Sequence, residues 1–314
     1  MPAASLTPAR PFSLASSIRF LEGFTPASYD QTADGVLRLA FPADDADSVI
    51  GCAVRQEEAA DGKPGTVHLE FTVHAEGEAT RPPLRSGVGE AVTAQIARII
   101  SLDVDGTGFP ALADTDPVVA GLQADYPGLR PVCFYSPYEA AAWSVIGNRV
   151  RKTQAAAIKA GLARAHGRAL DVAGRRLSAF PAPAVLRSLG HFPGLTQVKI
   201  ERLHAIAEAA LNGHLDAAAL RAQPTEQALA SLRELPGIGP FSAELILIRG
   251  AGHPDVFPLA EPRLHQAMAT AYGLDAATAA APGRLAHIAD AWRPYRSWVA
   301  VLLRVRAQET VTLR

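Results

Sequence analysis

Cysteine is nearly absent from this chain, with only Cys52 and Cys133 among 314 residues. The two are far apart and form no CxxC or zinc-ligand spacing, which excludes a disulfide-stapled scaffold and leaves free thiols of a reducing compartment as the expectation. The nine histidines show no ligand spacing either. Long apolar runs are also missing. No stretch is long enough to span a bilayer, and Met1 to Arg19 lacks the continuous apolar core of a signal peptide. The expectation is a cytoplasmic chain without a membrane partner. Charge of one sign is lacking too: the formal net charge is −1. Nucleic-acid binders are often more basic, so this balance weighs mildly against such a role. Local clusters soften the objection, namely Arg149, Arg151 and Lys152, and Arg293, Arg296, Arg304 and Arg306. Taken alone, a charge run is commonly just a solvated face.

Hydrophobic residues make up 48% and charged residues 19%, the balance of a globular chain. Its length admits two or three subdomains around a sizeable core. Residues 1–108 read as a small α+β domain with an antiparallel sheet. Leu37, Leu39 and Phe41 alternate with Arg38 and Ala40, and Val67, Leu69, Phe71 and Val73 alternate with His68, Glu70, Thr72 and His74. Both patterns predict strands, the second half-buried with one wet face. Asp61 to Gly65 reads as a turn, and Val88, Val92, Ile96 and Ile99 recur at helical spacing. Residues 109–314 read as helical almost throughout, with runs of helix formers at 155–165, 205–211 and 217–220 punctuated by proline and glycine.

Within that second part, Leu235-Pro236-Gly237-Ile238-Gly239-Pro240-Phe241-Ser242-Ala243 carries the most information. A helical run from Glu226 to Glu234 precedes it, and an apolar helix from Ser242 to Gly250 follows. Gly237 and Gly239 can supply the positive φ angles of a sharp reversal, and Pro240 suits the first turn of a helix. Backbone N–H groups at such a helix start face outward and suit a phosphodiester without a basic side chain. A lone GxG would more often be an ordinary helix-helix turn. The full string favours nucleic-acid binding by a helix-hairpin-helix at about 226–250.

A rival motif, Asp103-Val104-Asp105-Gly106-Thr107, matches the DxDGT signature of haloacid-dehalogenase phosphatases. That chemistry wants a preceding strand and paired acids downstream. Ile96, Ile99 and Ile100 instead suit a helix, and no paired acids follow, so a helix end leading into a polar loop is expected.

Around the hairpin string lie Ser136-Pro137-Tyr138-Glu139-Ala140-Ala141, Val145 to Val150, Asp255 to Leu264, and Ala291 to Trp298. In this order and spacing, over about residues 130–306, the chain resembles the DNA-3-methyladenine glycosylase II family of helix-hairpin-helix DNA glycosylases. The resemblance implies an all-α core of two helical lobes with a cleft between them. It implies a monofunctional base-excision enzyme, acting as a monomer, that flips alkylated purines out of duplex DNA and hydrolyses the N-glycosidic bond. No cofactor is required, although the family can hold a monovalent cation on hairpin carbonyls, here those of Arg233, Leu235 and Ile238.

Site residues carry over position by position. The family's catalytic aspartate corresponds to Glu261, whose carboxylate would stabilise an oxocarbenium-like sugar and orient water. Capping of the next helix, which Pro262 would start, is the alternative for Glu261. Lyases of the superfamily carry a lysine where this chain has Phe241, which favours simple hydrolysis. Phe241 can stack on a flipped base or pack in the core. Leu245 and Arg304 occupy two positions that commonly hold base-stacking aromatics, so a pocket poor in aromatic residues is expected, with an altered lesion range. The residue that fills the gap left by the flipped base maps to Arg149, beside Asn148; a phosphate contact is its other reading. Gly237, Ile238, Gly239 and Ser242 complete the expected DNA contacts. A lesion-binding protein with weak or no catalysis is the second functional reading.

Overall fold

The computed structural model describes residues 2–24, 34–58, 64–75 and 87–312. The chain begins β1 (Ala3–Leu6), α1 (Leu14–Gly23), β2 (Leu37–Pro42), β3 (Ser48–Gln56), β4 (Val67–Ala75) and α2 (Val88–Ile99). It continues with α3 (Pro117–Asp125), α4 (Pro137–Gly147), α5 (Lys152–His166), β5 (Ala169–Val172), β6 (Arg175–Ser178) and α6 (Pro183–Arg187). Then come α7 (Gln197–Leu211), α8 (Ala217–Ala222), α9 (Thr225–Arg233), α10 (Pro240–Leu245), α11 (Pro262–Tyr272), α12 (Ala276–Ala279), α13 (Pro282–Ala289) and α14 (Arg296–Thr312). Among the described residues, no helix is long and apolar enough to cross a membrane.

The four N-terminal strands form an antiparallel sheet in the order β1-β4-β3-β2. On β4 the expected alternation holds: Val67, Leu69, Phe71 and Val73 are buried, while Glu70 is exposed. That face meets Leu14, Ile18 and Leu21 of α1 and Val92, Ile96 and Ile99 of α2. Of the turn expected at Asp61 to Gly65, Asp61, Gly62 and Lys63 lie outside the described residues.

The opposite face is not wet where β2 and β3 cross it, because the β5–β6 hairpin covers it. Leu170 and Val172 pack on Val36, Ala40, Val49 and Ala53, and the buried Arg38 donates from Nε to the Ala173 carbonyl at 3.2 Å. The expectation of helix almost throughout residues 109–314 is corrected here. The two strands have four residues each, too short for periodicity to stand out. Ala173 at φ 44° and Gly174 at φ 76° make the reversal, consistent with the left-handed pair that tight hairpins use.

The helices gather around two apolar clusters. One joins α4, α5, α7, α9 and α10 through Ile146, Ile158, Leu203, Leu232 and Ala243. The other joins α3, α11, α13 and α14 through Leu122, Leu264, Leu285 and Val299, with Trp292 at its centre. Asp116 caps α3 through the N–H groups of Val118 and Val119, and its other oxygen accepts from Tyr272 Oη at 2.6 Å and Trp292 Nε1 at 3.0 Å. Helix α4 starts as its sequence suggests, with Ser136 Oγ accepting from the Glu139 N–H and Pro137 in the first turn.

The DxDGT segment is a loop after α2. Asp103 pairs with Arg221, Asp105 accepts from the Thr107 N–H at 2.9 Å, and Tyr295 Oη donates to the Asp105 carbonyl at 2.7 Å. Its acids are held in structural contacts. Both cysteines are buried and free.

Candidate active site

The hairpin string builds a compact reversal. The Ile238 N–H donates to the Leu235 carbonyl at 3.0 Å, and Gly237 takes a left-handed φ of 89°. Gly239 does not. Its φ is −94° and ψ −177°, extended backbone open to any residue, so the expectation of two left-handed glycines is corrected to one. One left-handed residue suffices because Pro240 sets the direction of α10 in the next step. The Ile238 side chain is buried in the α4–α10 cluster, which leaves its backbone as the part open to a ligand. Helix α10 runs six residues and then widens into a π turn over Ile246–Gly250. There α4 approaches so closely that a Cβ on Gly250 would lie 2.8 Å from Pro137 Cα.

After the π turn, the chain to α11 is pinned from both sides. Ser297 Oγ accepts from the Val256 N–H and donates to the Val256 carbonyl, both at 2.9 Å. The buried Glu244 carboxylate of α10 accepts from the N–H groups of Leu259 at 3.0 Å and Ala260 at 2.9 Å. Burial pushes the Glu244 carboxyl above its ordinary range, against these hydrogen bonds. The next residue is Glu261. Its backbone occupies the cap position of α11, with Pro262 in the first turn, but its carboxylate makes no capping hydrogen bond. Glu261 Oε1 instead faces Arg304 Nε of α14 at 3.6 Å.

That carboxylate lines a cavity of about 480 Å³. Phe241, Ser242, Leu245, Arg304 and Asn148 line it too, so residues from α10, α14 and the α4–α5 loop converge as the sequence reading grouped them. Phe241 is 45% exposed, which places its ring at the surface and not in the core. Arg149 is exposed at the tip of the α4–α5 loop with a left-handed φ of 56°, a conformation that non-glycine residues seldom adopt. Gly237, Ile238 and Gly239 lie outside the cavity lining. The Leu235 carbonyl, expected to face a cation, already accepts one hydrogen bond within the turn; a carbonyl has a second lone pair, so coordination is not blocked. Among the described residues no cluster of histidine, cysteine or carboxylates suits a metal ion.

Several lining residues escaped the sequence reading. Phe20 and Phe24 arrive from α1 and the residue capping it, joined by Phe134 and Trp143, so the expectation of a pocket poor in aromatic residues is corrected. The buried Arg249 lies against Phe20 and Phe24 with its guanidinium 4.9 and 4.5 Å from the ring centroids. It donates from Nε to the Val132 carbonyl at 3.0 Å, and burial lowers its pKa to about 10, which leaves it charged at neutral pH. Lys152 also lines the cavity; burial, then Arg263 and Arg304, lower its pKa against the pull of Glu261. Burial likewise lowers that of Arg304, opposed by Glu261. In the expected basic cluster at 293–306, Arg293 and Arg296 are held by Asp255 at 3.1 and 2.7 Å.

No protein-family model matches the chain. In sequence it is similar to a Mycobacterium tuberculosis protein described as a probable bifunctional transcriptional activator/DNA repair enzyme AlkA, 33% identical over 213 residues, which are 66% of this chain and 40% of that protein. The chain thus spans well under half the length of that relative. It is also similar to the DNA-3-methyladenine glycosylase of Bacillus subtilis, 26% identical over 185 residues, covering 56% of this chain and 60% of the other. In fold it matches a 3-methyladenine DNA glycosylase from Archaeoglobus fulgidus with a TM-score of 0.74, at 19% identity and over 97% and 98% of the two chains. The sheet, the helices and the hairpin are those of the helix-hairpin-helix DNA glycosylase class. Within that class, the chain belongs to the DNA-3-methyladenine glycosylase family.

Proposed function

We propose that this protein is a monofunctional DNA glycosylase of the cytoplasm that works as a monomer on duplex DNA. It flips an alkylated purine out of the stack and hydrolyses its N-glycosidic bond. The observation that carries this reading is the Glu261 carboxylate, released from helix capping and set on the wall of a cavity of about 480 Å³ beside the hairpin. The hairpin backbone holds the phosphodiester, and Arg149 enters the gap in the stack. The base occupies the cavity, with Phe241 against it. As the bond to the base lengthens, positive charge grows on the sugar; Glu261 stabilises that charge and orients the attacking water. Alkylated purines leave as neutral molecules, so little leaving-group assistance is needed. A monovalent cation on the carbonyls of Arg233, Leu235 and Ile238 would stiffen the hairpin without entering the chemistry. Water is the nucleophile in this reading because Phe241 stands where the superfamily's lyases carry lysine.

A lesion binder that cleaves poorly is the second reading, and the facing of Arg304 toward Glu261 at 3.6 Å favours it, since the guanidinium already partners the carboxylate. One experiment separates the two. The protein is incubated with a duplex holding a single alkylated purine, and abasic sites are then cut with alkali. Lesion-dependent breaks support the enzyme; retention of the duplex without breaks supports the binder.

A further inference from the structure

Positive charge surrounds the space where a lesion base would sit. Arg304 and Lys152 line the cavity, and the field of Arg263 reaches both. Deeper in, the faces of Phe20 and Phe24 meet the Arg249 guanidinium at 4.9 and 4.5 Å. An aromatic ring attracts a cation through the negative potential of its faces. A guanidinium on one face weakens that potential for a second cation on the other. The two acids nearby do not reverse the balance. Glu261 faces Arg304, and Glu244 is taken up by the N–H groups of Leu259 and Ala260.

We propose that the cavity selects uncharged lesion bases and discriminates against the cationic purines that alkylation at N3 or N7 produces. This rests on the cavity being the pocket for the flipped base, and within that reading it names the substrate class: neutral alkylated bases. Arg304 and Lys152 are donors only, matched to the ring nitrogens and carbonyl oxygens of a neutral purine. For a cationic base they are like charges. Two unit charges about 5 Å apart at an effective dielectric of about 20 correspond to on the order of a hundredfold in affinity. Glu261 offsets part of this, so a discrimination of about tenfold or more is expected.

Two duplexes that differ by one charge test it. The first carries 7-methylguanine on a 2′-fluoro sugar, where the fluorine prevents bond cleavage and the base stays cationic. The second carries 7-methyl-7-deazaguanine on the same sugar, with the same shape and no charge. Binding of each is measured against an undamaged duplex. Wild type is expected to bind the neutral lesion about tenfold more tightly than the cationic one. The ratio should fall toward one when Arg304→Met and Lys152→Met are combined. Equal or tighter binding of the cationic duplex by wild type overturns the inference while leaving the glycosylase reading in place. Binding of neither lesion above the undamaged duplex removes the base pocket itself, and both readings fall. The wild-type ratio decides the matter even if the double variant does not fold.

Discussion

Glu261 holds two positions at once: its backbone starts α11, while its side chain belongs to the cavity. If the carboxylate stabilises the sugar cation, Glu261→Gln keeps the shape and removes the charge. Single-turnover base release should then drop by about two to three powers of ten, with lesion binding nearly unchanged. Glu261→Asp keeps the charge but draws it back toward α11, away from Arg304. Because Glu244 and Ser297 pin the preceding backbone, the loop is poorly placed to follow, and the rate should fall by roughly a hundredfold for a shift of about 1 Å. A wild-type rate in Glu261→Gln would remove this residue from the chemistry. The identity of Glu261 as a candidate was legible because Pro262 marks a helix start beside it. Its release from capping was not, since the choice between a cap bond and the cavity depends on α14, some forty residues further on.

The hairpin shows how an element separates stability from binding. Gly237 is left-handed, so Gly237→Ala strains the turn by about 1–2 kcal/mol and should lower thermal stability. Gly239 is extended, with nothing within 4 Å of a built Cβ. Gly239→Ala should therefore leave stability within about 0.5 kcal/mol of wild type while placing a methyl group where a phosphate would approach. Differential scanning calorimetry and fluorescence anisotropy with undamaged duplex distinguish the two effects. Unchanged affinity in Gly239→Ala would count against the hairpin backbone as the phosphate anchor. Contiguity made this element legible, because every residue that shapes the turn lies within nine positions. The β5–β6 hairpin was not legible, because its four-residue strands acquire meaning only against the sheet face that they cover.

At the scale of the whole molecule, Arg98 ties the sheet to the helices. Its guanidinium donates to Asp44 Oδ2 at 2.8 Å, to the Gly250 carbonyl at 2.6 Å and to the Tyr135 carbonyl at 3.0 Å, and its side chain is 5% exposed. Arg98→Met leaves these acceptors without that donor. A loss of about 3 kcal/mol is expected, at the low end for breaking a buried pair because Asp44 is partly exposed. Urea denaturation measures it, and adding Asp44→Asn should restore part of the loss, since the stranded carboxylate is then gone. Additive losses would show that the pair is not coupled. Base release should suffer as well, because the sheet side of this tie carries α1, whose Phe20 lines the cavity.

What the sequence determined by itself was local: the hairpin string, the Ser136-Pro137 start of α4, the helical pattern of α2 and the alternation of β4. In each, the deciding groups are neighbours along the chain, so residue type and spacing are enough. The tertiary structure alone decided what the cavity is made of. Phe20 and Phe24 stand more than two hundred positions before Glu261, and Arg249 reads in sequence as a lone cation ending an apolar helix. Only packing brings the guanidinium against the two rings, and with it the positive field of the pocket, because burial and Coulomb energies depend on distance in space and not along the chain.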